Sequence, residues 1–331
     1  MSEGTLPALI GHGAVQKTLR TMIESGKMPH AVLLTGPEGI GKRLLAEHLA
    51  RCLLCGFAPL GLPDLLDVDD AHPRLAQIDA GAHPDFFILE PAEDAKTKTI
   101  KVADTRDLLM NVGLSGEEAR VIIVDAAEYM NVASANAILK NLEEPGTKTY
   151  WVLISHAPSK LLPTIISRCR TVRMSPLNEE DVTKVLAKDY DDEAVQNLLP
   201  LVQGVPGVAS MFAGKSEELG GLLDSFFTTC APGAKGKTAA FALSDKIGQK
   251  RVLPLAIDIL MVKLAAEARS ASKSVGAWGV SSYALSHLYD VYLWRKRRME
   301  EVNISPALTF DAMLEDFLSA KSGVLPRKPL R

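Results

Sequence analysis

The chain has 331 residues, of which 47% are hydrophobic and 23% charged, a composition typical of a globular protein with roughly two or three domains. Its net charge of -3 and aromatic content of 5% exclude an overall basic field for nucleic acid and an aromatic platform for stacked bases. No segment has the roughly 20 apolar residues of a membrane-spanning helix, and the amino terminus lacks a secretion signal, so a cytoplasmic location without membrane contact is expected.

The first half of the chain alternates strand and helix patterns. The predicted strands are 31–35, 85–89, 121–124 and 151–154, and the predicted helices are 14–25, 43–54, 102–110 and 134–144. The strands are continuous apolar runs, which is the pattern of parallel strands covered by helices on both faces. We therefore expect an α/β domain with a parallel sheet.

The second half of the chain is helical in pattern. Asn178 and Asp181 resemble a capping box at a helix start, a second helix is predicted from Glu193 to Gln203, and a third begins at Pro206. Helical periodicity continues over residues 216–320 without a clear strand. The sequence thus predicts an α/β domain followed by an all-α region.

A glycine-rich loop, Gly-Pro-Glu-Gly-Ile-Gly-Lys-Arg, joins the first strand to the next helix and matches G-x-x-x-x-G-K-[ST] except at its last position. Gly36, Gly39 and Gly41 let the backbone pass close to phosphate, and Lys42 can place its charge on phosphate oxygens. Arg43 replaces the Ser or Thr that would hold Mg²⁺, and a guanidinium has donors only. The loop is expected to bind ATP or ADP without hydrolysis, and a glycine turn without a ligand is the alternative.

A carboxylate follows the third predicted strand. Asp125 stands where a Walker-B carboxylate would reach Mg²⁺, and a structural role at the strand end is an equal alternative. The next residue is Ala126, where hydrolysing relatives of this architecture have a Glu. Glu128 lies too far along the chain to substitute without a changed turn. Since Arg43 and Ala126 both lack the required side chains, hydrolysis is not expected.

Two other patterns have a less specific interpretation. Cys52 and Cys55 form one C-x-x-C, but no further cysteine occurs before Cys169 and a closed zinc site needs four ligands, so free thiols without zinc are expected. The basic run 295–298 could contact nucleic acid. Its apolar neighbours favour the solvated face of a helix instead.

Three stretches carry a family resemblance: 10–12 with 28–42, which includes the glycine loop; 135–145, Ala-Asn-Ala-Ile-Leu-Lys-Asn-Leu-Glu-Glu-Pro; and 161–170, Leu-Leu-Pro-Thr-Ile-Ile-Ser-Arg-Cys-Arg. Together they resemble the clamp-loader AAA+ family of bacteria, and within it the δ′ subunits of DNA polymerase III. The last stretch contains the Ser-Arg-Cys motif of that family. The similarity is strong over about residues 8–175 and faint over the helical remainder.

The resemblance implies an AAA+ fold with a RecA-like P-loop domain at 1–175, a three-helix lid at 176–215 and a helical collar for oligomerisation at 216–331. It implies a stator without catalytic activity of its own in a pentameric complex with γ/τ and δ subunits. That complex loads the sliding clamp on primed DNA during replication. Arg168, in the Ser-Arg-Cys motif, would be an arginine finger in a neighbouring γ/τ ATP site, and Lys140 is a candidate contact to a DNA phosphate.

The chain departs from the family at several positions. Many δ′ subunits have a four-cysteine zinc module, which is missing here, so residues 56–81 are expected to form a loop without metal. The sensor-2 arginine after Pro-Gly is replaced by Val208, and Ser155 lies near the sensor-1 position. The alternative function is a self-sufficient AAA+ ATPase of the γ/τ type, which Arg43 and Ala126 disfavour.

Overall fold

A computed structural model describes residues 6–57, 65–91, 99–112, 119–212, 216–249, 252–271, 277–302 and 304–327. The chain divides into two compact units. The first unit comprises Met1–Tyr190 and Gln203–Val208, and the second comprises Asp191–Val202 and Ala209–Arg331. The segments assigned to the lid from the sequence belong partly to each unit. The domain borders at 175 and 215 stay predictions.

The first unit is a parallel sheet with helices on both faces. Strands β1 to β5 are Ala31–Thr35, Phe86–Leu89, Arg120–Val124, Thr149–Ser155 and Arg170–Arg173. Helices α1 to α7 are Gly13–Glu24, Lys42–Cys55, Leu75–Asp79, Val102–Val112, Val132–Glu143, Pro163–Ile166 and Glu179–Leu186. The strand order is β2-β3-β4-β1-β5 and each pairing is parallel, which confirms the predicted α/β domain.

The apolar runs form strands because both of their faces are buried. In β1, Val32 and Leu34 pack in a core that includes Leu49 of α2. The alternate residue Leu33 packs on the other side, in a core that includes Ile138 of α5. Burying one such side chain contributes about 1.5–3 kcal/mol, so the two cores hold β1 at the centre of the sheet.

Three elements of the first unit were not predicted from the sequence: strand β5, helix α3 and the short helix α6. Strand β5 is a largely exposed edge strand that hydrogen-bonds to β1, with Arg170 beside Val32 and Arg173 beside Thr35. Helix α3 lies in the stretch 56–81, for which we predicted a loop, and that prediction is wrong for its five residues. Residues 58–64 of the same stretch lie outside the described part of the chain.

The second unit is helical throughout its described residues, as predicted. Its helices α8 to α14 are Asp192–Val202, Ala209–Phe212, Ser216–Thr229, Ala234–Gln249, Leu253–Ser270, Ser282–Val302 and Pro306–Lys321. An aromatic cluster forms part of its core: the ring of Phe227 stacks on Trp278 at 4.6 Å and meets Phe317 edge-on at 4.4 Å. Across the described residues of both units, no helix has the length and apolar character needed to cross a membrane.

Candidate functional site

The glycine loop connects β1 to α2 at the carboxyl ends of the parallel strands, where ligands bind in open α/β sheets. Gly36 has φ 150°, and a Cβ there would lie 2.6 Å from the carbonyl oxygen of Met174, which follows β5. The loop therefore needs glycine where it leaves the sheet. Gly41, with φ 99°, precedes the first residue of α2.

Lys42 is folded back onto the loop itself. Its side chain is 3% exposed, and Nζ donates hydrogen bonds to the carbonyl oxygens of Gly36 at 2.7 Å and Pro37 at 2.6 Å. Burial lowers the pKa of Lys42 to about 8, and the nearby charge of Glu128, with those of two further carboxylates, offsets this only in part. These two bonds use two of the three N–H donors of the ammonium, so a bound phosphate would accept from the third donor or displace a carbonyl.

Arg43 is paired with three carboxylates. Its Nε donates to Glu47 Oε1 at 2.6 Å, and its Nη1 donates to Glu90 Oε2 at 3.0 Å and to Asp125 Oδ2 at 2.8 Å. Burial alone would lower the pKa of Arg43, but the hydrogen bond to Glu47 and the charges around it raise that pKa above its ordinary value. The residue that replaces the metal-binding hydroxyl thus places its own positive charge on the Walker-B carboxylate.

A cleft of about 760 Å³ lies beside the loop, a size suited to a nucleotide. It brings together five of the six nucleotide-site residues predicted from the sequence: Gly39, Gly41, Lys42, Arg43 and Asp125. The sixth, at the first position of the loop, is not among the lining residues. The predicted loop and the carboxylate after β3 therefore form one site in the structure.

Two adjacent residues occupy the position near sensor 1, and only one of them lines the cleft. Ser155 is fully buried, and its Oγ accepts a hydrogen bond from the amide of Ala157 at 3.2 Å. The cleft is lined instead by the next residue, His156. No pattern in the sequence distinguished these two neighbours, because both follow the same apolar strand.

From the sequence, Glu128 could approach the site only if the turn after Asp125 were altered, and the structure has such a turn. Ala126 has φ 51° and precedes a 3₁₀ turn, Ala127–Tyr129. Glu128 Oε1 accepts a hydrogen bond from the amide of His156 at 3.0 Å, and Glu128 is not among the residues that line the cleft. The turn thus brings the carboxylate of Glu128 near Lys42, behind the residues that line the cleft.

A second turn packs on the outside of the glycine loop. The amide of Gly207 donates a hydrogen bond to the carbonyl oxygen of Gly39 at 2.9 Å, within the first unit. A Cβ on Gly207 would lie 2.5 Å from that oxygen, so only glycine allows the approach. Sequence reasoning singled out Val208 for the missing sensor-2 arginine but missed the contact made by the residue before it.

Arg168 lies away from the cleft. It precedes β5 and so lies at the amino ends of the parallel strands, whereas the glycine loop and Asp125 follow the carboxyl ends of β1 and β3. Its Nη2 pairs with Glu143 Oε1 at 2.5 Å, and its Nη1 donates to the carbonyl oxygen of Thr164 at 2.9 Å. The structure therefore does not bring Arg168 into the nucleotide site of its own chain.

The cysteines are free thiols in the structure. Burial raises the pKa of Cys52 to about 12 and also raises that of Cys55, so both favour the protonated form. Within the described ranges, no three His, Cys, Asp or Glu side chains are grouped closely enough to hold a metal ion. That the protein lacks zinc stays a prediction.

The basic run on α13 is partly engaged within the second unit. Arg295 Nε donates to Asp316 Oδ2 at 2.8 Å, and Lys296 Nζ donates to Asp258 Oδ1 at 2.5 Å. The next two residues of the run, both arginines, are exposed. This arrangement agrees with a solvated helix face with internal ion pairs.

The sheet order, the glycine loop between β1 and α2 and the carboxylate after β3 define a P-loop α/β protein with a helical region after it. Residues 11–178, just over half of the chain, match the family described as DNA polymerase III, delta subunit. The chain belongs to that family, which confirms the resemblance to DNA polymerase III clamp-loader subunits found in the sequence.

Individual relatives agree with this assignment. DNA polymerase III subunit delta′ of Pseudomonas aeruginosa is 42% identical over 194 residues, which are 56% of this chain and 56% of that protein. The delta′ subunit of Bacillus subtilis is 31% identical over 183 residues, 53% of each chain. The tau subunit of Salmonella typhimurium is 31% identical over 197 residues, 58% of this chain and 28% of that one. The chain spans about half the length of the delta′ relatives it matches.

Among solved structures, a DNA polymerase III gamma subunit-related protein of Thermotoga maritima aligns with 92% of this chain and 98% of its own. The TM-score is 0.45 and the sequence identity 20%. The fold assignment rests on the strand order and connections of this chain itself.

Proposed function

We propose that the chain is a δ′-type subunit of a bacterial clamp loader, which helps to place the sliding clamp on primed DNA during replication. Family membership supports the class of complex, and the delta′ relatives support the subunit type. The observation that carries the specific role is the pairing of Arg43 with Asp125, because it blocks the hydrolytic site of the chain itself.

The alternative, a self-sufficient ATPase like γ/τ, is not favoured. A tau subunit is also a relative, so the family alone does not separate the two functions. Hydrolysis needs a metal ligand after the loop lysine and a residue that positions water. Arg43 and Ala126 supply neither, and Glu128 is hydrogen-bonded outside the lining of the cleft.

Within this proposal, Arg168 acts in the ATP site of a neighbouring γ/τ subunit. Its position at the amino ends of the strands separates it from its own loop and leaves its guanidinium partly exposed. The pair with Glu143 is a surface ion pair, which is worth about 0–1 kcal/mol. An arginine finger contributes about 10³–10⁵ in rate, so exchanging Glu143 for a γ-phosphate costs little by comparison.

The proposed partners are γ/τ and δ subunits in a pentameric complex, the sliding clamp and primer–template DNA, all in the cytoplasm. The cleft beside the glycine loop is proposed to bind ATP or ADP without hydrolysis. Lys140 is exposed near the end of α5 and is the proposed contact to a DNA phosphate.

The finger is tested by ATPase assays on a complex reconstituted with γ/τ, δ and the clamp of the same organism. Arg168→Ala should lower the ATPase stimulated by clamp and primed DNA by at least about tenfold while the complex still assembles. Arg168→Lys should recover only part of the rate, because an ammonium lacks the planar fork of a guanidinium.

Arg173→Ala is the matched control, since it removes an exposed arginine from the other end of β5. It should leave the rate unchanged. Full stimulated ATPase activity in the assembled Arg168→Ala complex would refute the role of Arg168.

A further inference from the structure

Three carboxylates converge on one guanidinium at the edge of the cleft. Glu47 and Asp125 are bonded to Arg43 at 2.6 and 2.8 Å, and Glu90 is bonded to it at 3.0 Å. The three acids come from distant parts of the sequence: α2, the residue after β2 and the residue after β3. A cluster assembled from such separate elements requires a cation at its centre, since three carboxylates close together repel one another.

A magnesium ion does not fit this arrangement. Mg²⁺ requires oxygen ligands at about 2.0–2.1 Å in near-octahedral geometry. The guanidinium of Arg43 lies within hydrogen-bond distance of the carboxylate that would bind the ion, and it stays charged at every physiological pH. A dication at Asp125 would have to displace Arg43 and then lie close to its positive charge.

We propose that Arg43 is a built-in cation in place of Mg²⁺: it excludes divalent metal from the site and makes any binding of nucleoside phosphate by the loop independent of metal. Arg43 prevents metal binding because its guanidinium satisfies the carboxylates that would otherwise attract a metal ion. The proposal concerns the isolated chain and does not depend on assembly with partner subunits.

A direct consequence is that loss of the guanidinium creates a metal site. Arg43→Ser frees the three carboxylates and restores the hydroxyl of the P-loop pattern. Arg43→Gln frees the same carboxylates while keeping part of the side-chain volume, and it serves as a second variant if the serine protein is unstable. Carboxylate and hydroxyl oxygens are the ligands that Mg²⁺ and Mn²⁺ prefer.

The experiment titrates Mn²⁺, with paramagnetic resonance of the free ion as the readout, into the full-length wild type and both variants, with and without ADP. Arg106→Gln is the matched control, because Arg106 is an exposed arginine of α4 outside the lining of the cleft. The wild type and this control should show no stoichiometric Mn²⁺ site. Both Arg43 variants should bind Mn²⁺ at least about tenfold more tightly than the wild type.

A parallel titration measures the Kd for ADP with Mg²⁺ and with a chelator. The wild-type Kd should change less than about twofold, whereas Mg²⁺ should tighten ADP binding by Arg43→Ser by at least about tenfold. Stoichiometric Mn²⁺ binding by the wild type that Asp125→Asn abolishes would overturn the proposal. Folded Arg43 variants that gain no metal binding would overturn it as well.

Discussion

Replacing Gly207 by alanine tests whether the turn Pro206–Val208 holds the glycine loop in place. The new Cβ would lie 2.5 Å from the carbonyl oxygen and 2.6 Å from the Cα of Gly39. These are backbone atoms and cannot rotate away, so the turn must retreat and lose its hydrogen bond to Gly39. Overpacking costs about 1–3 kcal/mol and the lost hydrogen bond about 0.5–1.5 kcal/mol. Together these effects predict a loss of about 1.5–4.5 kcal/mol.

Urea unfolding followed by circular dichroism measures this loss, with Gly221→Ala as the matched control. Gly221 lies inside α10, and among the described residues no heavy atom outside that helix's own backbone lies within 4 Å of a Cβ placed there. That substitution should stabilise the chain by about 0.5–1 kcal/mol, because alanine loses less entropy than glycine in a helix. If Gly207→Ala unfolds at the same urea concentration as the wild type, the turn Pro206–Val208 does not stabilise the glycine loop.

Three further predictions concern charges and thiols in the first unit. Since burial lowers the pKa of Lys42 from 10.5 to about 8, the unfolded chain binds more protons at this group between these values, so the contribution of Lys42 to stability rises with pH across that interval. Urea unfolding should therefore show that the stability difference between the wild type and Lys42→Met shifts in favour of the wild type as the pH rises from about 8 to 10.5. Asp79→Ala leaves the buried Arg51 without its carboxylate partner and should cost about 3–5 kcal/mol in the same assay, whereas the double variant Arg51→Met with Asp79→Leu should recover most of the loss. Metal analysis should find no stoichiometric zinc, and a chelator should leave the melting temperature unchanged, because Cys52 and Cys55 supply two of the four ligands of a closed zinc site and no further cysteine follows before Cys169.

Each of these has a distinct contradicting result. An unchanged pH dependence in Lys42→Met would mean that this ammonium is not desolvated. An Asp79→Ala protein as stable as the wild type would mean that the buried pair is not formed in solution. One bound zinc ion per chain would contradict the expectation drawn from the missing cysteines.

The central strands and the loop could be predicted because their sequence determines them locally. The run 121–124 is short, apolar and β-branched at every position, which is the pattern of a strand buried on both faces. β5 could not be found this way. Its residues from Arg170 to Arg173 are mostly exposed, and the strand forms because its backbone pairs with the edge of β1.

The residues of the candidate site could be predicted from the sequence, but the contacts between them could not. The sequence shows that Arg43 replaces a hydroxyl, which indicates a lost function. It does not show that the guanidinium reaches Glu90 and Asp125, because those residues approach it only when β2 and β3 lie side by side. The contact between Gly39 and Gly207 likewise arises from the tertiary fold. Neither the sequence of the glycine loop nor that of the turn predicts that the two segments meet.

The central claim, that this chain is a clamp-loader subunit, is tested most directly by co-purification. The tagged chain is mixed with γ/τ, δ and the sliding clamp from the same organism and passed through affinity and size-exclusion columns. We predict one stable complex that contains the chain together with γ/τ and δ, and that retains it when Lys42 is replaced by alanine. A chain that elutes alone, with γ/τ and δ assembling without it, would contradict the account.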